Sequence, residues 1–140
     1  MKKISFTFFA LLITFASLAQ EASVQIAPKI EFEVKLFDFG VISQGDTIRH
    51  TFTFKNNGTA PLNILSARGS CGCTVPTYSK IAVAPGDRGK VDVKFNSAGK
   101  LGGQNKTVTL ITNDPTNKQV ILTVRRSVVR ANPEDDQKKE

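Results

Sequence analysis

Ile48-Arg49-His50-Thr51-Phe52-Thr53-Phe54-Lys55-Asn56-Asn57-Gly58 is the stretch that decides the fold. Ile48, His50, Phe52 and Phe54 share one parity, and Arg49, Thr51, Thr53 and Lys55 share the other. A period of two belongs to a strand with one buried face and one wet face. Thr and Phe suit such a pleated, half-buried surface. Asn56-Asn57-Gly58 then closes the run with residues that accept turn geometry.

The same pattern recurs outward in both directions. Glu31-Phe32-Glu33-Val34-Lys35-Leu36 alternates without a break. Val91, Val93 and Phe95 alternate with Asp92 and Lys94, Val108 and Leu110 with Thr107 and Thr109, and Val120, Leu122 and Val124 with Ile121, Thr123 and Arg125. Leu62-Asn63-Ile64-Leu65 adds a strand after Pro61. Gly45-Asp46, Pro85-Gly86-Asp87, Gly102-Gly103 and Asn113-Asp114-Pro115 punctuate these runs. Six or seven short strands at this spacing predict an all-β antiparallel sandwich of two sheets. Phe32, Phe37, Phe39, Phe52, Phe54 and Phe95 are its expected core.

The ends read differently. Lys2 and Lys3 precede an apolar run from Ile4 to Phe15, and Ser17-Leu18-Ala19 follows with small residues at the cleavage positions. Residues 1–19 read as a secretory signal peptide, shorter than a bilayer-spanning segment. Residues 20–30 read as an N-terminal lead-in, 31–130 as the sandwich and 131–140, rich in charge, as a disordered tail. The expectation is an exported protein, periplasmic or secreted, with no transmembrane span once the signal is removed.

The whole chain has 140 residues and a net charge of +7. Without residues 1–19 it keeps 17 basic against 12 acidic side chains, a balance of +5. That charge is spread too evenly to name an anionic partner. Two Cys cannot build a zinc finger or a disulfide-dense scaffold, and one His cannot build a histidine cage. An exported chain whose aromatics have core parity is not expected to bind nucleic acid.

Phe39-Gly40-Val41-Ile42, Gly45-Asp46, Phe52-x-Phe54-x-Asn56-Asn57-Gly58, Pro61-Leu62-x-Ile64, Ser70-Cys71-Gly72-Cys73-Thr74 and Pro85-Gly86 follow one another in that order. The set resembles an exported bacterial family known as domain of unknown function 1573. That family is similar to the immunoglobulin-like domains of abnormal-spindle and Hydin proteins. The resemblance covers about residues 32 to 128, and Ala82-Val83-Ala84 departs from its pattern in one loop. It implies an immunoglobulin-like sandwich of about seven strands in the cell envelope. It implies no established activity, and a fold alone supplies none. An immunoglobulin-type disulfide between sheets is excluded, since the only two cysteines are two residues apart.

Cys71-Gly72-Cys73 is the most chemically pointed feature. One reading is a disulfide closing a tiny loop, which the chain-entropy model values at about 1.6 kcal/mol. Such a bridge is a poor staple and easily reduced. A second is a pair of thiolates on a soft metal such as Cu(I), with His50 as the only imidazole available. A third is redox exchange with another protein, aided by Arg68 three residues away. A structural turn with small thiols and a linkage to a partner complete the alternatives. His50 shares parity with Ile48 and Phe52, so it is expected at the rim of the core. Arg125, Arg126 and Arg130 read as a solvated basic strand end.

No nucleophile, base and acid arrangement is legible. The expected function is a non-enzymatic binding or scaffolding module of the bacterial envelope, with a protein partner, no cofactor and no small-molecule substrate. The alternative is a thiol-based redox or Cu(I)-handling protein acting through Cys71 and Cys73.

Overall fold

The computed structural model describes residues 25–131. The expected signal peptide, the start of the lead-in and all but the first residue of the expected tail lie outside them. Among the described residues eight strands form: β1 (Ile30–Phe32), β2 (Leu36–Ser43), β3 (Thr47–Asn56), β4 (Ile64–Gly69), β5 (Thr74–Tyr78), β6 (Arg88–Asn96), β7 (Gly102–Thr112) and β8 (Gln119–Val129). One sheet has the order β1-β3-β6-β5, and the other β2-β8-β7-β4. The deciding stretch is β3, which pairs antiparallel with β6 from Thr47↔Asn96 to Lys55↔Arg88.

The two inner faces meet in one core. Phe52, Phe54, Leu62, Val91, Val93, Val108, Leu110, Leu122 and Val124 are buried there, with Phe37 and Phe39 packed against them half-buried. Phe95 is also buried. Each such side chain removed from water contributes roughly 1.5–3 kcal/mol before entropy is counted. This is the all-β sandwich that alternation predicts.

Three expectations need correction. The unbroken run Glu31–Leu36 is two strands in different sheets. The Glu33 amide still donates to the Thr53 carbonyl (3.2 Å), but the Lys35 carbonyl accepts from the Thr123 amide (2.7 Å) in the other sheet. Crossing shifts the inward parity by one, from Phe32 to Phe37 and Phe39, and leaves Val34 and Leu36 exposed. The chain crosses without reversing, so β2 pairs with β8 in parallel. The sandwich is therefore mixed, not wholly antiparallel. Thirdly, β5 was not among the predicted runs. Its inward side chains are Thr74, Pro76 and Tyr78 while Val75 is exposed, so no apolar alternation marks it, and Pro76 cannot donate to a ladder, which an edge strand tolerates. Among the described residues β5 pairs only with β6.

Polar side chains anchor the loops. Asn56 is fully buried. Its amide donates to the carbonyls of Ala60 and Val83, and its oxygen accepts from the amides of Lys29 and Gly58. Asp114, also fully buried, accepts from the Ile30 amide at 2.9 Å and ties the start of β1 to the β7–β8 turn.

Candidate functional site

Residues 70–73 carry the chain from the end of β4 to the start of β5, and so from one sheet to the other. The Ser70 amide donates to the Thr107 carbonyl (2.8 Å), the Asn96 amide to the Cys73 carbonyl (3.0 Å) and the Thr74 amide to the Cys71 carbonyl (3.1 Å). Gly69 lies so close to the Thr74 backbone that a Cβ would overlap it. The turn is thus pinned to both sheets at one end of the sandwich.

Within it Cys71 and Cys73 are joined by a disulfide, with Cα atoms 5.2 Å apart. Both are half-buried. The Thr74 hydroxyl lies 3.5 Å from the Cys71 sulfur and 3.9 Å from that of Cys73. Bonded sulfurs carry no proton, so the hydroxyl is the donor. In this state neither sulfur is a thiolate, the form that binds soft metals or attacks a disulfide.

The other candidate residues do not converge on the pair. Arg68 is exposed on β4, opposite Thr109. His50 lies between aromatic rings, stacked on Phe37 and edge-on to Phe39 and Phe52. Burial pushes its pKa below the ordinary value, and its Nε2 meets no hydrogen-bond partner among the described residues. No group of three or more His, Cys, Asp or Glu side chains suited to a metal occurs among the described residues. A cleft of about 640 Å³ runs beside β5 and β6, lined by Tyr78, Ile81, Val83, Asp87, Lys90 and Asp92 among others. It contains neither His50 nor the cysteines.

Arg126 is a correction. Expected at a solvated strand end, it is instead 2% exposed. Its parity on β8 is that of Leu122, Val124 and Val128, all buried, so it points between the sheets. Its guanidinium carbon lies 3.2 Å from the centroid of the Phe95 ring. None of its three side-chain nitrogens meets a hydrogen-bond acceptor among the described residues. Burial pulls its pKa down to about 10.

The edges of the sheets differ in what they offer a partner. β1 has three residues, and Pro76 blunts β5. β4 has six residues and a register shift between Ile64 and Ser66. β2 has eight residues, pairs with β8 on one side and has no strand on the other among the described residues. Gly40, at φ 68°, forms the irregularity between Asp38 and Val41. Beside it a shallow groove of about 450 Å³ is lined by Asp38, Val41, Gly103, Asn105, Arg125 and Ser127 among others.

Residues 30–128 match the model of a family described as "Protein of unknown function (DUF1573)". The chain belongs to that family. Its DUF1573 domain is similar to a solved protein of unknown function from Porphyromonas gingivalis W83 (TM-score 0.65, 16% identity), covering 77% of this chain and 51% of that one. The chain thus spans about half the length of that protein. The ASH / PapD-like domain 7 of human CEP192 is similar over 82% of this chain and 95% of its own (TM-score 0.58, 13% identity). The secreted serine protease VesC of Vibrio cholerae shares the fold over 81% of this chain but 25% of its own (TM-score 0.56, 17% identity). At such identities the likeness is one of fold alone, and it supports an immunoglobulin-like sandwich. No curated protein matches the chain.

Proposed function

We propose that this DUF1573 domain is an exported, non-enzymatic binding module of the bacterial envelope that takes an extended segment of a partner protein along β2. The observation that carries the reading is the open edge of β2, eight residues long and the longest of the four edge strands among the described residues. An added strand gains main-chain hydrogen bonds along such an edge and specificity from pockets for alternate side chains. The groove beside Asp38 and Arg125 is placed to take one of those side chains. The irregularity at Gly40 divides the edge into two short pairing segments, so affinity is modest and the side-chain pocket matters more.

The test is a photo-crosslinking side chain placed at Leu36 or Asp38 in exporting cells, with Thr77 on β5 as the control. Adducts with a defined protein from the β2 positions alone support the reading. Adducts from neither strand, or equally from both, overturn it. Intact mass of the protein recovered outside the cytoplasm tests export, with loss of residues 1–19 as the expected result.

A further inference from the structure

Besides Val41 and Val129 at the far ends of β2 and β8, four large aliphatic side chains stand on the outer face of the second sheet, one from each strand. They are Leu36 on β2, Ile121 on β8, Ile111 on β7 and Leu65 on β4, exposed by 48%, 49%, 36% and 59%. The register sets them on a diagonal. Leu36 pairs with Thr123, two residues from Ile121 and on the same face. Ile111 pairs with Gln119, two residues from Ile121 on its other side. Ser66 pairs with Ile111, and the shift between Ile64 and Ser66 turns Leu65 outward beside it. Diagonal neighbours on one face lie roughly 7–8 Å apart, within reach of long side chains, so the four form a stripe across the sheet. Single exposed aliphatics are ordinary, but a run taking one from every strand marks an interaction surface.

The border of the stripe is basic. Arg68 and Arg125 lie on the same face, and Lys35 and Lys118 directly precede β2 and β8 at one end of the sheet, all exposed. The sole carboxylate in the four strands is that of Asp38, the register partner of Arg125.

We propose that this face docks a partner protein whose aliphatic centre is flanked by carboxylates. The occupant follows from charge complementarity. A second copy would bring a second basic border to the contact, on chains that each carry +5 without residues 1–19. The stripe offers roughly 300–400 Å², about half of what one side of a standard interface buries. The stripe is the desolvated centre of the contact, and the basic border supplies its area and steering. This surface goes beyond strand addition at β2, because the partner lies across the face and not along the edge.

The probe is an amphipathic peptide with Leu on one side and flanking Glu, titrated into the isotope-labelled protein and followed by amide NMR shifts. Its Lys-flanked counterpart is the control. Shifts centred on Leu36, Leu65, Ile111 and Ile121 are expected with the Glu peptide alone, and high salt weakens them. The Ile111→Thr/Ile121→Thr variant keeps strand-forming residues and its thermal midpoint, and loses about tenfold or more in affinity. Equal binding of the Lys peptide, shifts elsewhere or no shifts overturn the proposal. So does a concentration-dependent dimer abolished by Ile121→Glu, which assigns the face to a second copy. Crosslinking from Asp38 in the Ile111→Thr/Ile121→Thr background separates this surface from the β2 edge: it persists if only the stripe is at fault.

Discussion

The imidazole of His50 lies on the ring of Phe37, with centroids 3.7 Å apart and planes 16° from parallel. His50 belongs to β3 and Phe37 to β2, so the stack bridges the two sheets. Phe39 and Phe52 close around it edge-on. The neutral imidazole suits this enclosure, and burial lowers its pKa from 6.5. The folded protein therefore binds this proton less readily than the unfolded chain. Stability from this group is fully present above about 6.5 and is lost as pH falls through the lowered folded value. Urea midpoints measured from neutral to mildly acidic pH should fall, and His50→Phe should flatten that part of the curve. An unchanged slope in His50→Phe would assign the acid loss to other groups.

Asp114 behaves in the opposite acid range. Burial alone raises its pKa, but the Ile30 amide, the Thr116 hydroxyl and amide and the Asn117 side chain together outweigh that and hold it at about 2. Its carboxylate contributes stability above about 3.8, which is lost as pH falls through about 2. Asp114→Ala leaves the Ile30 amide and the turn amides without their acceptor. The cost is roughly 2–3 kcal/mol, read as a lower denaturation midpoint at neutral pH. Hydrogen exchange at Ile30 should quicken in the same variant, because β1 loses its tie to the β7–β8 turn.

Asp114 also shows where reading the chain stops. Its place in a turn is legible from Asn113-Asp114-Pro115, but its bond to Ile30 spans 84 residues. Alternation revealed the strands around Phe52, Val93, Val108 and Leu122, because one face of each is buried. It missed the break after Phe32, since a chain that switches sheets alternates on both sides of the crossing. It does not reveal β5, a five-residue strand that buries Thr74 and exposes Val75. Arg126 was misplaced by a general expectation that charges face water. Its parity with Leu122, Val124 and Val128 was the signal that could have corrected this. The spacing of Cys71 and Cys73 was plain, but which groups face them depends on the β4–β5 crossing.

The disulfide should prove dispensable for the fold. It closes a three-residue loop, and the chain-entropy model values that at about 1.6 kcal/mol. The turn is held independently by the bonds of Ser70, Asn96 and Thr74. Cys71→Ser/Cys73→Ser should therefore retain the circular dichroism of the parent and lose no more than about 1.6 kcal/mol in urea unfolding. A parent measured with reductant should match it. Failure of the double variant to fold would make the bridge a principal staple, contrary to its loop length.

Arg126 sets the last expectation. A guanidinium taken out of water without an acceptor loses several kcal/mol of hydration. The face of Phe95 returns about 2 kcal/mol at a desolvated site. The balance is unfavourable, so an apolar side chain of similar length should serve stability better. Arg126→Met keeps an unbranched chain and places sulfur against the Phe95 ring. It should leave the denaturation midpoint unchanged or raise stability by roughly 1–2 kcal/mol, whereas Arg126→Ala should lower it by opening a cavity. The midpoints of the parent and both variants, measured together, decide the matter. A clear loss in Arg126→Met would mean that the guanidinium holds an acceptor in solution, and the case against its contribution to stability would fail.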